Sequence, residues 1–66
     1  MKNYIREERT KKQLTQVQLA EMVNVSRQTI ISIETCRYVP SVMLAIKLAN
    51  VLGKKVETLF ETEKSD

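Results

Sequence analysis

The sequence predicts an all-α domain, a compact bundle of five short helices. The 66-residue chain contains one glycine and one proline, so few positions interrupt a helix. Its apolar residues recur at spacings of three and four, which is typical of amphipathic helices, and show little of the alternation expected of strands. Apolar residues make up 42% and charged residues 29%, as in an ordinary folded domain. A chain this short has room for one core and one functional site, so we expect a single domain over residues 1–60 and a charged tail over residues 61–66.

The first two helices are predicted from helix-forming residues and from an N-terminal cap. Residues 2–12 have no helix breaker and carry acidic and basic side chains three and four apart, which stabilise an exposed helix 1. Thr15, followed three residues later by Gln18, is a capping-box pattern. Helix 2 is therefore predicted at about residues 16–23 and ends near Asn24, a residue that tolerates left-handed backbone.

Helix 3 follows helix 2 after a short turn. Ser26 is a favourable N-cap, and helix 3 is predicted at about residues 27–34. At about 100° per residue, Ile33 falls on the side of the core, whereas Gln28 and Ser32 lie on the opposite side. Two short helices joined in this way form a helix-turn-helix, whose second helix can enter the major groove of DNA.

Helices 4 and 5 are predicted to complete the core. Pro40 followed by Ser41 places a helix breaker before an N-cap, so helix 4 is predicted over residues 42–52, ending at Gly53. Apolar residues cover more than half of its circumference, so helix 4 should pack on several sides. A short helix 5 with apolar residues at spacings of three and four, within residues 56–60, can close the core.

The composition excludes several classes of activity. Histidine is absent and there is a single cysteine, so the chain lacks the commonest general base and has no pair of thiols for a zinc site or an intrachain disulfide. We therefore predict no enzymatic activity, no cofactor and no metal site. The sequence has no apolar run of the roughly 20 residues that span a bilayer and no apolar signal-peptide segment, which predicts a cytoplasmic location.

The charges are divided unevenly along the chain. The net charge is +3, but residues 1–55 carry ten basic and four acidic groups, whereas residues 56–66 carry one basic and four acidic groups. The first part is therefore at +6 and the second at −3. This division predicts that the first part faces a polyanion and that the acidic end lies away from it.

Several motifs agree in register with one known family. They are Leu14-Thr15-Gln16-x-x-Leu19-Ala20, then Val25-Ser26-Arg27-Gln28-Thr29-Ile30-x-x-Ile33-Glu34, then Tyr38-x-Pro40-Ser41. Over roughly residues 4–60, this pattern resembles the Xre (Cro/C1) family of lambda-repressor-like DNA-binding domains. The resemblance implies a five-helix bundle in which helices 2 and 3 bind DNA. It also implies a sequence-specific transcriptional regulator, a repressor, that binds a pseudo-palindromic operator as a homodimer.

The resemblance assigns base reading to the start of helix 3. Arg27 and Gln28 match positions that address base edges, and in the major groove an arginine suits guanine and a glutamine suits adenine. Ser32, one turn further on, is expected to reach a base or a phosphate, and Ile31 to contact a thymine methyl group. The alternatives are that Arg27 and Gln28 form a solvated helix start and that Ile31 covers the edge of the core.

A further set of residues is expected to meet the DNA backbone, where neutralising phosphates supplies sequence-independent affinity. Gln16 matches the family's glutamine at the start of helix 2, where free backbone N–H groups favour anions. The alternatives are that Gln16 only helps to cap helix 2 and that the lysines of helix 1 form a solvated face. The predicted phosphate contacts are Gln16, Ser26, Thr29, Arg37, Lys11 and Lys12.

Two features concern stability rather than binding. The resemblance implies that a salt bridge between Arg9 and Glu34 ties helix 1 to the end of helix 3. Members of the family often carry glycine where this chain has Gln13, Asn24 and Cys36. Left-handed backbone at a residue with a side chain costs roughly 1–2 kcal/mol, although asparagine tolerates it better. Either these turns differ from the family's, or the chain loses stability there.

Helices 4 and 5 have more apolar surface than one small core requires, which predicts a dimer interface. The candidate residues are Ile46, Val51, Leu59 and Phe60. The same surface suits an alternative function, that of an antitoxin or anti-repressor whose main role is to bind another protein through helices 4 and 5.

Overall fold

Within residues 2–61, five helices follow one another, and two short strands at either end of this range pair with each other. The computed structural model describes residues 2–61, so the charged tail expected beyond residue 61 lies outside the described residues. The elements are β1 (Lys2–Asn3), α1 (Ile5–Lys11), α2 (Gln16–Met22), α3 (Arg27–Glu34), α4 (Val42–Leu52), α5 (Val56–Leu59) and β2 (Phe60–Glu61). The predicted class, an all-α domain of five helices, is confirmed.

Three helices begin at side-chain caps that are visible in the sequence. Thr15 Oγ1 accepts the backbone N–H of Gln18 at 3.0 Å, and Gln18 Oε1 accepts the backbone N–H of Thr15 at 2.8 Å, which completes the capping box of α2. Ser26 and Ser41 cap α3 and α4 by accepting the backbone N–H three residues further on. Each cap satisfies a donor that has no partner within the helix, so it favours a helix start at that residue.

Four helices end in a turn with left-handed backbone. Within residues 2–61, φ is 59° at Gln13, 61° at Asn24, 62° at Cys36 and 67° at Gly53. These turns therefore keep a left-handed geometry even where glycine is missing. Gln13 and Cys36 carry the steric cost, roughly 1–2 kcal/mol each, that a side chain meets in this conformation.

The core contains buried residues from all five helices. Leu59 of α5 is fully buried in it, so the prediction that Leu59 belongs to a dimer interface is wrong: its side chain closes the chain's own core. Val51 also packs against this core and is half-buried. The largest fully buried side chains are those of Ile5, Leu19, Val23, Ile30, Ile33, Leu48, Leu52 and Leu59.

The two ends of the described range form paired strands, which differs from the prediction. Lys2 pairs with Glu61 and Asn3 with Phe60, in antiparallel register. The Tyr4 hydroxyl donates a hydrogen bond to Glu61 Oε2 at 2.6 Å. Helix 1 was predicted from residue 2, but residues 2 and 3 belong to β1, and Glu61 belongs to the fold rather than to a tail. A two-residue strand has no periodicity of its own, and its pairing joins residues at opposite ends of the chain.

Candidate nucleic-acid interface

Helices α2 and α3 are held against each other by apolar contacts and a hydrogen-bonded turn. Leu19 of α2 and Ile30 and Ile33 of α3 are fully buried in the shared core. In the turn, the backbone N–H of Val25 donates to the carbonyl oxygen of Ala20 at 2.9 Å. The orientation of α3 is therefore fixed by α2, and the side of α3 away from the core faces outward.

The four predicted base-reading residues lie on this outward side of α3 but differ in accessibility. Arg27 and Gln28, in the first turn, are exposed. Ile31 and Ser32 are half-buried. The start of α3 is therefore the part of the helix that a ligand can reach most freely, and Ile31 lies at the edge of the core while still presenting apolar surface.

A groove of about 580 Å³ lies between α3 and the beginning of α4. Gln28 and Ser32 contribute to its α3 side, whereas Ser41 and Lys47 contribute to its α4 side. Tyr38, in the connection between the two helices, also lines it. Lys47 is exposed and was not among the predicted DNA contacts. Its position on the polar side of α4 could have indicated it from the sequence.

The residues predicted at the helix starts are partly engaged within the protein. The Gln16 side chain is half-buried, and its Nε2 donates to Glu34 Oε1 at 3.1 Å. Ser26 Oγ lies 3.0 Å from Thr29 Oγ1, in addition to capping α3. These hydrogen bonds fix the orientation of the three side chains at the starts of α2 and α3.

A buried carboxylate joins three helices behind this surface. Arg9 Nε donates to Glu34 Oε2 at 2.7 Å and Arg9 Nη2 donates to Glu34 Oε1 at 3.3 Å, while the Glu34 side chain has no exposed surface. Arg9 Nη1 also donates to the carbonyl oxygen of Leu14 at 2.8 Å. The predicted pair Arg9 and Glu34 is therefore in direct contact, and together with Gln16 it ties α1, α2 and the end of α3 to one carboxylate.

The remaining predicted cations lie away from the start of α3. Lys11 Nζ lies 3.3 Å from Glu8 Oε2 at the end of α1, and Lys12 follows it. Arg37 is exposed just beyond the end of α3, in a loop held by a 2.9 Å hydrogen bond from its backbone N–H to the carbonyl oxygen of Ser32. These cations therefore lie at the ends of α1 and α3 and not in the first turn of α3.

A second groove, of about 710 Å³, lies between the start of α4 and the α5–β2 segment, and we call it the apolar groove. Ile46 and Phe60, two of the predicted dimer residues, line it, and Val51 is not among the lining residues. Val42, which is 78% exposed, is the most exposed large apolar side chain within residues 2–61. The lining residues are Val39, Pro40, Val42, Ala45, Ile46, Val56, Glu57, Phe60 and Glu61.

Two kinds of feature were not found within residues 2–61. No group of three histidine, cysteine, aspartate or glutamate side chains is placed to hold a metal ion. No helix in this part of the chain is long and apolar enough to cross a membrane. Cys36 is exposed and is not in a disulfide.

A capped helix pair with a short turn, whose second helix presents its outer face, is the architecture of helix-turn-helix proteins. Residues 5–59 match a family model of helix-turn-helix domains. The chain belongs to the helix-turn-helix family of transcriptional regulators, of the Xre (Cro/C1) type. The predicted family membership is confirmed.

Similar proteins come from archaea, bacteria and a phage. An HTH-type transcriptional regulator of Methanocaldococcus jannaschii is 46% identical over 66 residues, which is 100% of each chain. The HTH-type transcriptional regulator YgzD of Bacillus subtilis is 39% identical over 66 residues, again 100% of each chain. The immunity repressor protein of Bacillus phage phi105 is 41% identical over 64 residues, which is 88% of this chain but 44% of the repressor.

Proposed function

We propose that this protein is a sequence-specific repressor of transcription that binds a pseudo-palindromic operator as a homodimer. The observation that carries the proposal is the exposed first turn of α3, with Arg27 and Gln28, on a helix that α2 holds in place. The similarity to a phage protein named as an immunity repressor supports a repressor.

Base reading is assigned to the outer face of α3, because a helix with its side chains is about 10–12 Å across and fits the major groove, which is about 12 Å wide. Arg27 can fork onto a guanine and Gln28 onto an adenine, because each presents two polar groups in the geometry of that base edge. Ser32 lies one turn further along the same face. The half-buried Ile31 offers apolar surface to a thymine methyl group.

Phosphate contacts on either side of α3 supply the sequence-independent part of the affinity. At the helix starts, these contacts come from short polar side chains whose orientation is fixed by hydrogen bonds within the protein. Exposed cations further from the start of α3 meet phosphates beside the major groove and beyond it along the DNA. The proposed contacts are Gln16, Ser26, Thr29, Arg37, Lys11 and Lys12, and we add Lys47 because it is exposed and lines the groove beside α3.

A second copy of the chain is the proposed occupant of the apolar groove. One short helix reads too few base pairs for a specific operator, and a two-fold dimer doubles the contacts. Val42 and Ile46 in the groove are exposed apolar residues that a second copy would cover. The domain measures 34 × 21 × 19 Å, so two touching copies can place their recognition helices about 34 Å, one turn of DNA, apart.

Selection of bound sequences from a random pool of DNA tests this proposal. We expect a palindromic consensus with half-sites about 34 Å apart, one DNA turn. Failure to enrich any sequence would contradict specific binding, and enrichment of a single unpaired site would contradict the dimer.

The apolar groove also favours a second candidate, an antitoxin or anti-repressor that binds another protein through α4 and α5. Val42 at 78% exposure is as open to a different chain as to a second copy. A stable complex with a defined partner would support this alternative if it displaces the homodimer and slows hydrogen exchange of the Val42 backbone amide. A homodimer that persists in the presence of that partner would contradict it.

A further inference from the structure

We propose that Lys11, Lys12 and Lys54 form a lysine cluster that binds the phosphates of DNA flanking the operator, outside the half-sites. The inference rests on the proposed function, since it concerns how the same domain meets DNA. Lys54 is the new element, because neither the helix-turn-helix geometry nor the sequence motifs assign it a role.

Two ammonium groups, from the ends of α1 and α4, approach one carboxylate, and a third lies beside the end of α4. Lys11 Nζ lies 3.3 Å from Glu8 Oε2, and Lys54 Nζ lies 4.0 Å from Glu8 Oε1. Lys12 Nζ lies 3.9 Å from the point that a Cβ atom on Gly53 would occupy, so Lys12 reaches the same corner. The four ionised residues carry three positive charges and one negative charge, which leaves this corner strongly positive.

The negative charge in this corner is the less accessible one. The side chain of Glu8 is 15% exposed, whereas those of Lys11 and Lys54 are 70% and 41% exposed. A polyanion approaching from solvent therefore meets the ammonium groups first. Glu8 pairs with Lys11 and Lys54 and offsets one of the three positive charges, which leaves a net charge of +2.

The backbone that carries the cluster is fixed before any ligand arrives. Lys54 follows the left-handed Gly53, and its backbone N–H donates to the carbonyl oxygen of Ala49 at 3.0 Å, in a Schellman-type ending of α4. The backbone N–H of Lys12 donates to the carbonyl oxygen of Arg9 at 3.1 Å. Little backbone entropy remains to be lost when phosphates bind.

The position of the cluster on α4 points to flanking DNA. The apolar groove lies at the start of α4, near Val42, and the cluster lies at the other end, about 15 Å away along the 11-residue helix. If the second copy covers the groove, the cluster lies at the end of α4 that is remote from that contact. The connection from Lys12 to Gln16 spans at most about 14 Å. This length equals about four nucleotides of one strand, so Lys12 lies close enough to reach DNA next to the phosphate that Gln16 is proposed to contact.

The length of the DNA duplex provides the test. The full chain is titrated against two duplexes that carry the same selected operator, one ending at the outer edges of the half-sites and one extended by about one helical turn on each side. We expect tighter binding to the extended duplex and a steeper dependence on salt, by about 0.9 in the logarithmic slope for each added phosphate contact. Equal affinity for the two duplexes overturns the inference.

Matched variants assign the difference to the cluster. Lys54→Gln should reduce the preference for the extended duplex and lower the salt slope measured on it by about 0.9. A fourfold rise in salt should therefore weaken binding of the variant to this duplex about threefold less than binding of the parent protein, the effect of one phosphate contact. Lys2→Gln makes the same change of charge beyond the opposite end of α1 and should leave the difference intact. Glu8→Gln should enlarge it. Because folding defects weaken binding to both duplexes alike, the ratio isolates the cluster.

The outcomes separate this inference from the proposed function. If Lys54→Gln and Lys2→Gln reduce the difference equally, the cluster has no specific role and the inference fails, while specific binding to the operator stands. If no duplex carrying the selected sequence binds more tightly than random DNA, the proposed function fails and the inference fails with it.

Discussion

Gln16 Nε2 donates a hydrogen bond to Glu34 Oε1 at 3.1 Å, which ties the first residue of α2 to the last residue of α3. The same carboxylate accepts from Arg9 and has no exposed surface. A side chain proposed to meet phosphate is therefore oriented by a buried ion pair. Within this network, the position of the DNA-facing surface and the stability of the fold depend on the same charge.

Removing Arg9 should destabilise the protein strongly. Arg9→Ala leaves the Glu34 carboxylate buried with fewer donors, and loss of one partner of a buried pair costs about 3–5 kcal/mol. Lys11→Ala is the control, because the exposed pair of Lys11 with Glu8 contributes about 0–1 kcal/mol. Urea unfolding of the two variants measures both losses. Losses of equal size would show that Glu34 does not depend on Arg9 for compensation.

Replacing Gln28 should change sequence preference as well as affinity. Gln28→Ala is expected to weaken binding to the selected operator by about 1–3 kcal/mol and to relax the preference at one base pair. Lys47→Ala alters the opposite side of the same groove and should weaken binding to all sequences alike, lowering the salt slope by about 1. Titrations with the operator and its single-base variants distinguish the two. The base-reading role of Gln28 fails if Gln28→Ala loses the same affinity on operator and random DNA.

A charge in the apolar groove should separate the dimer. Val42→Glu places a carboxylate where a second copy is proposed to pack, and a buried unpaired charge opposes association. Met43→Glu is a close control, since Met43 is 66% exposed and lines the other groove, beside α3. Sedimentation at micromolar concentration should show a monomer for Val42→Glu and a dimer for Met43→Glu. A strictly monomeric parent protein, with and without DNA, would refute dimerisation altogether.

Features encoded by neighbouring residues were predictable, and those that join distant parts of the chain were not. The caps at Thr15, Ser26 and Ser41 define helix starts locally, so the bounds of α3 and α4 follow from the sequence. Leu59 is an apolar residue, but a helix of four residues is too short for its pattern to show whether that side chain faces the core or the outside of the domain. The approach of Lys54 to Glu8 exists only after α1 and α4 have packed together.

Glycine at the strained positions 13 and 36 should stabilise the protein. Gln13→Gly and Cys36→Gly each remove a steric cost of roughly 1–2 kcal/mol but add about 0.5–1 kcal/mol of unfolded-state entropy, so a gain of up to about 1.5 kcal/mol is expected. Thr35→Gly, at a residue with φ of −91°, gains nothing from glycine's freedom and should destabilise. Thermal unfolding compares the three variants. A loss of stability in both Gln13→Gly and Cys36→Gly would mean that their side chains contribute more than their backbones cost.

The hydrogen bond between Tyr4 and Glu61 should be lost at high pH. The hydrogen bond from the Tyr4 hydroxyl to Glu61, together with the negative charge of Glu61, raises the pKa of Tyr4 above its ordinary value of 10.0. A raised folded-state pKa gives stability that is fully present below the unfolded-state pKa and is lost as pH rises through the folded-state value. Tyr4→Phe should therefore be less stable than the parent protein at pH 7 and should lose this difference above the folded-state pKa. Glu61→Gln removes the repulsion between phenolate and carboxylate, so its stability should fall less steeply over the same range. Thermal unfolding from pH 7 to 11 checks both variants, and a difference between Tyr4→Phe and the parent that stays constant across the range would contradict the role of this hydrogen bond.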